Sequence, residues 1–282
     1  MSTDDAAERR PMPYSLALTA VLVGFAGGTF ATLIVALVGS GFGSSTAHPT
    51  PAVNIVGDFL FDAAFVGSAL YFSSLGGWMG RRDFGYTRIP WRRGIPALVL
   101  GAIAYYVVTL VYAAVFNLHG SDQLPSGLGV KTSTWAAVFT ALFVCAAAPM
   151  AEEFFFRGFL FGVLRRMHVR IGRHELGPWI AAVIVGLLFG LAHFDSAQPE
   201  FLIPLGFLGF VLCIMRWRTG SLYPCMALHS INNSIAFGVN EQLHWSGGEV
   251  VAMTVGSLAL IALVTGPLSS SDSGGPSDRV PV

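Results

Sequence analysis

The chain has 282 residues, 54% of them hydrophobic and only 11% charged, with a mean hydropathy of +0.64. Water-soluble domains carry about 25% charged residues, so most of this surface faces something other than water, and a net charge of zero gives no field that would gather nucleic acid. Cys145, Cys213 and Cys225 all sit in apolar runs, an odd set that excludes a disulfide framework and reads as structural.

A membrane-crossing helix needs about 20 mostly apolar residues. In chain order the sequence predicts them at 14–39, 53–77, 95–117, 134–164, 178–195, 200–216, 221–239 and 249–267. The first is too long for the apolar core of a cleaved signal, and no small-residue cleavage site with a polar mature domain follows it. It reads as a retained helix. The expected fold is an all-α membrane protein, a bundle of about eight transmembrane helices over 14–267. A cytoplasmic tail is expected at 1–13, and a disordered cytoplasmic tail, rich in Ser, Gly and Pro, at 268–282.

Arginine placement orients the bundle. Basic connections hold Arg9 and Arg10; then Arg81, Arg82, Arg88, Arg92 and Arg93; then Arg165, Arg166, Arg170 and Arg173; then Arg216 and Arg218. The alternate connections are bare: 40–52, 196–199 and 240–248 have no Arg or Lys, and 118–133 has only Lys131. This alternation predicts both termini in the cytoplasm. The Arg-over-Lys, Ala/Gly/Val-rich composition points to a high-GC bacterium, and hence to its cytoplasmic membrane.

Ionisable groups inside a span are costly and mark functional sites. The fourth segment holds Glu152, Glu153 and Arg157, the fifth Phe189 and His193, the seventh His229 and Asn233. Glu153 and Arg157 are four apart with the acid first, the favourable order for an ion pair. Glu152 points about 100° away, toward a different neighbour. His229 and Asn233 share a face, and Ala182, Gly186 and Gly190 form a small-residue stripe that admits a close neighbour. His193, seven residues after Gly186, is expected to point into the bundle. Counted from the cytoplasmic ends, Glu152 lies about 18 Å deep, His193 about 22 Å, His229 about 10 Å and Asn233 about 16 Å. Three helices thus bring polar groups to overlapping depths. Two adjacent carboxylates with one arginine leave a surplus negative charge, which a purely structural core has no reason to keep.

The pattern Glu152-Glu153-x-x-x-Arg157, Phe189-x-x-x-His193, His229-x-x-x-Asn233 resembles the three motifs of the CPBP family. That family groups type II CAAX prenyl endopeptidases with Abi, bacteriocin-processing and lysostaphin-resistance-like proteins. The resemblance covers 134–239, which it implies is the catalytic core, and it implies a glutamate-dependent endopeptidase. The residues support the same chemistry. Glu152 suits a general base with His193 sharing the water, and His229 and Asn233 suit an oxyanion. Arg157 holds Glu153.

Other readings stay open on sequence grounds. Glu152, His193 and His229 form a two-His-one-Glu set that zinc accepts in hydrolases, although no cofactor is the first expectation. A non-catalytic immunity protein, a scaffold or a transporter is a different class; a transporter predicts broken helices in repeated halves, which the sequence lacks. Asp58 and Asp62, four apart on the second helix, are expected near the outer interface, solvated or paired, with an ion path as the alternative. Ser230 and Ser234 lack the context of a nucleophile elbow. Expected partners are membrane lipid and a membrane-associated peptide or protein substrate, and not nucleic acid.

Overall fold

The computed structural model describes residues 12–45, 49–75, 80–117, 134–194, 196–239 and 245–271. The predicted tails and the 118–133 connection lie largely outside these residues. Each predicted apolar segment is a helix: α1 Tyr14–Ser40, α2 Pro51–Leu75, the one-turn α3 Arg81–Phe84, α4 Trp91–Phe116, then a continuous rod α5 that starts as Thr134–Leu142 and ends as Phe161–Leu164. The remainder are α6 Gly177–Ala192, α7 Leu202–Thr219 with a 3-10 turn before it, α8 Tyr223–Gly238 and α9 Gly247–Thr265. The protein is an all-α membrane protein. Six of these helices are long and apolar enough to cross a membrane, whereas α6 is apolar but shorter and α8, at 16 residues, is shorter too. The predicted eight elements are therefore present as helices, with six meeting the length and apolarity of a span.

Sequence also explains how the helices meet. α1 and α2 form a hairpin in which Gly24 and Gly28 lie under the rings of Phe65 and Phe61. The predicted small-residue stripe on α6 does admit a neighbour. A Cβ on Gly186 would stand 2.7 Å from the carbonyl of Gly206, and one on Gly190 2.6 Å from that of Leu202, so α6 and α7 touch backbone to backbone. The capping box of Ser246 and Glu249 starts α9.

The ends of the bundle on the side of the basic connections are strapped by residues 80–90. Gly85, at φ 95°, ends α3 in the left-handed conformation that glycine tolerates. Ser221 Oγ donates to the Thr87 carbonyl at 2.7 Å and Leu222 N to that of Gly85 at 2.8 Å. Arg216, counted among the basic loop residues, is buried and donates through Nη2 to the Asp83 carbonyl. The tail expected to be disordered from 268 begins instead with structure: Ser270 N donates to the Tyr86 carbonyl, and Ser270–Ser271 pairs in parallel with Thr87–Arg88.

Candidate active site

The rod α5 is not the plain α-helix that its apolar pattern predicts. Two stretches, Phe143–Ala147 and Glu153–Leu160, are π-helical, on either side of the α-helical turn Ala148–Glu152. π-turns are rare and gather at functional sites. Because a π-turn closes at i+5, residues four apart come almost a full turn round. Glu153 and Arg157 accordingly lie side by side, with Nη1 donating to Oε1 at 2.7 Å and both side chains fully buried.

The same oxygen of Glu153 accepts from Nδ1 of His229 at 2.9 Å. On α6, His193 Nδ1 lies 2.8 Å from the carbonyl of Phe189, and since a carbonyl only accepts, Nδ1 carries the proton. His193 itself caps α6 rather than sitting within it, which corrects the predicted helix end at 195. With both δ nitrogens committed, both rings turn Nε2 toward Glu152. His193 Nε2 is 3.9 Å and His229 Nε2 3.8 Å from Glu152 Oε2, an oxygen buried without a hydrogen-bond partner. These separations are too long for hydrogen bonds and leave three polar atoms facing one small space. The three helices thus bring together Glu152, Glu153, Arg157, His193 and His229.

Asn233 stands apart from that convergence. Its Nδ2 donates to the carbonyl of Val144 at 2.9 Å, inside the first π-stretch, where it ties α8 to α5. Its amide keeps a second N–H. Neighbouring Asn232 receives a 3.4 Å contact from the hydroxyl of Tyr106 on α4.

Phe189 has a larger part than its place in the motif suggests. Its ring lies under the Arg157 guanidinium at 4.2 Å, and its centroid is 4.8 Å from His193 and 5.5 Å from His229. A guanidinium over an aromatic face gains a cation–π attraction. That contact matters because Nε and Nη2 of Arg157 have no hydrogen-bond partner among the described residues.

Asp58 and Asp62, expected near the outer interface and solvated or paired, lie on the part of α2 that faces α5. α2 packs against the Glu152 region of α5, and both aspartates are half-buried. The available signal was their four-residue spacing inside an otherwise apolar helix.

The zinc set fares poorly on geometry. Donors about 2.0–2.1 Å from a tetrahedral zinc lie roughly 3.3 Å from one another, and the edges here are 3.9 and 3.8 Å. Among the described residues no group of three or more His, Cys, Asp or Glu side chains is disposed to hold a metal ion. The donors do not fit, and no step below runs through a metal.

The match to known proteins falls on this same region. Residues 134–235 match the family of Rce1-like type II CAAX prenyl endopeptidases. The matched stretch begins at α5 and ends in α8, so it contains every polar residue of the convergence. An uncharacterized 24.3 kDa protein of Escherichia coli is 32% identical over 141 residues, covering 48% of this chain and 59% of that protein. The uncharacterized protein YyaK of Bacillus subtilis (strain 168) is 29% identical over 155 residues, covering 52% of this chain and 47% of that one. The chain thus spans about half the length of the curated relatives it matches. No solved structure matches it significantly.

Proposed function

We propose that the protein is an intramembrane endopeptidase that hydrolyses a peptide bond of a membrane-associated protein or peptide, using Glu152 to activate water. The observation that carries this reading is the approach of two imidazole Nε2 atoms to one unpartnered carboxylate oxygen, at 3.9 and 3.8 Å. The match to the Rce1-like endopeptidases supports it independently.

Each residue then has a task that its contacts suit. A water between Glu152 and His193 gives its proton to Glu152 while its oxygen bonds to the scissile carbonyl carbon. The carbonyl oxygen gains negative charge and needs donors aimed at it. His229, held at Nδ1 by Glu153, turns Nε2 toward the same space and can serve when Nε2 carries a proton. The free N–H of Asn233 is the second candidate donor. Arg157 and Phe189 fix Glu153 and the two rings. As the C–N bond breaks, the proton on Glu152 passes to the amine nitrogen, which completes the hydrolysis.

We further propose the cytoplasmic membrane of a bacterium as its location, with both termini inside, lipid and the peptide substrate as its partners, and no cofactor. The alternating arginines support this orientation: reporter fusions after residues 86 and 170 should report the cytoplasm, and after 46 and 125 the outside. The test of function is comparative peptidomics of membranes from cells with the intact protein and with Glu152→Gln. Cleavage products present only with the intact protein are expected, while identical peptide profiles with both proteins equally abundant would overturn the proposal. Purified protein should also keep its turnover after prolonged chelation. Activity lost to chelator and restored by zinc alone would replace the metal-free mechanism.

A further inference from the structure

At the end of the bundle that carries the basic connections, a groove of about 390 Å³ lies between the starts of α4 and α8. Arg88, Trp91, Ile95 and Leu98 line one wall, and Tyr223 and Ala227 the other. The volume falls in the range of about 300–1,000 Å³ typical of small-ligand sites. Below its mouth the walls are apolar, and the Tyr223 hydroxyl is already spent, donating to the Thr265 carbonyl at 3.0 Å. Trp91 and Ile95 are exposed. In a bilayer such exposure means contact with lipid.

The level of the groove follows from helix length. The 26 residues of α4 span about 39 Å, against a hydrocarbon core of about 30 Å. The first turn, with Trp91, therefore stands in the headgroup layer, where tryptophan is enriched. Ile95 and Leu98 lie about 6 and 10 Å deeper, among acyl chains.

Charge at the mouth has one sign. Arg88 lines the groove, and the guanidinium of Arg92 lies over the Trp91 ring at 5.4 Å. Both are exposed, as is Arg93. Arg88 Nε donates to Ser269 Oγ at 2.6 Å, a bond that takes one of the five N–H groups of a guanidinium. Among the described residues neither Arg88 nor Arg92 is in an ion pair. Neither 84–120 nor 201–240, the stretches that supply the two walls, contains an Asp or Glu. A basic mouth over an apolar groove between membrane helices is complementary to an anionic headgroup that carries an acyl chain. A peptide segment fits worse, because its backbone N–H and C=O groups need partners that apolar walls do not offer. An acyl chain has no such groups.

We propose that this groove is a binding site for an anionic phospholipid, with the phosphate held between Arg88 and Arg92 and one acyl chain against Ile95, Leu98 and Ala227. Ala227 precedes His229 by two residues, so the lipid rests on the helix that carries His229 and Asn233. The site requires only that the chain spans a membrane and is independent of the endopeptidase reading.

Full-length protein is reconstituted in nanodiscs of equimolar phosphatidylglycerol and phosphatidylcholine with matched acyl chains. The lipids that stay bound on release are then counted by native mass spectrometry. Wild type should retain one phosphatidylglycerol in preference to phosphatidylcholine. Arg92→Gln should lower that preference about five-fold, and Arg88→Gln added to it should lower it about five-fold again. Arg170→Gln with Arg173→Gln removes two exposed arginines away from the groove and should leave the preference unchanged. Ala227→Trp keeps every charge and fills the groove from α8, so the retained lipid should be lost. Gly94→Leu fills it from α4, where an added Cβ meets nothing nearer than Ile89 at 3.6 Å, and keeps the test open if the tryptophan variant misfolds. Melts in phosphatidylcholine nanodiscs identify the variants that are folded. No preference in wild type overturns the site. An equal loss on changing Arg170 and Arg173 overturns it too, since diffuse surface charge then accounts for the binding. Full retention in a folded groove-filling variant removes the seat of the acyl chain, and the proposal with it. No arm needs turnover, so a failure of this site and a failure of the hydrolytic mechanism are read separately.

Discussion

Two rods of this molecule have comparable length and both are apolar, yet they live in opposite surroundings. Trp91–Phe116 (α4) has a mean hydropathy of 2.2 and 11% of its most apolar stretch buried, while Ala137–Leu164 (α5) has 1.5 and 56%. The less hydrophobic helix is the central one. In water the reverse holds, because apolar residues seek the interior. In a bilayer the lipid is as apolar as leucine, so burial follows packing and polar contacts instead. The rod with Glu152, Glu153 and Arg157 is therefore wrapped by α2, α6 and α8, while α4 turns Val107, Leu110 and Val111 outward. Polar residues, and not hydrophobic ones, mark the inside.

The comparison is broken most severely at the centre of the buried rod. Glu152→Gln should abolish hydrolysis altogether, since an amide cannot take a proton from water, while the protein still inserts and accumulates. Peptide cleavage and membrane abundance measured in the same cells check it. Retained cleavage would move the base to another residue.

Arg157→Ala comes next in size. It strands Glu153 in a fully buried position and removes the cation over Phe189. Breaking a buried pair from one side costs about 3–5 kcal/mol, so both abundance and activity should fall. Glu153→Gln together with Arg157→Met should recover part of the abundance, because both charges leave together. Quantitative immunoblots of membranes decide this; equal abundance of Arg157→Ala and wild type would mean that the pair contributes nothing.

Asn233→Ala is expected to be milder. Losing one oxyanion donor usually lowers kcat about 10²–10³-fold, and here the change also releases the Val144 carbonyl in the π-stretch. A drop in kcat at constant KM supports the donor role. A drop in thermal stability with kcat kept would leave Asn233 as a clamp between α8 and α5.

Much of this was legible beforehand, and the parts that were not have physical reasons. Helix positions followed from apolar length alone, which in a bilayer is enforced by the need to satisfy every backbone group. Depth counting, in which rise per residue converts sequence into position along the membrane normal, put Glu152, His193 and His229 at overlapping levels, but its spread from about 10 to about 22 Å did not foretell that both rings approach one carboxylate oxygen. The π-turns did not follow, since an apolar pattern cannot separate them from α-helix by period over so few residues. The packing of α2 on α5 did not follow either, because depth alone does not say which face of α2 meets α5. That information lies in Phe65 stacking on Phe155, a contact between residues that the sequence separates widely. Asn233 was read from its spacing with His229, but its bond to Val144 depends on a carbonyl that the π-turn presents.

The smallest expected effect tests the outer half of the comparison. Leu110 on α4 is 67% exposed, and in the bilayer that exposure means contact with acyl chains. Leu110→Ala exchanges one lipid contact for another and leaves 26 residues in the helix, ample for a span. No cavity forms, because lipid flows into the space that a rigid core would leave empty, so the cost associated with core truncation is absent. Stability should change by no more than about 0.5 kcal/mol, as for other substitutions away from packed contacts, and turnover should stay at the wild-type level. Thermal melts in nanodiscs, with cleavage of a fluorogenic peptide spanning a cleavage site recovered by the peptidomics, give both quantities. A loss of several degrees at Leu110 would mean that α4 is covered in the membrane by another protein surface, and the contrast between a lipid-facing α4 and a protein-wrapped α5 would no longer hold.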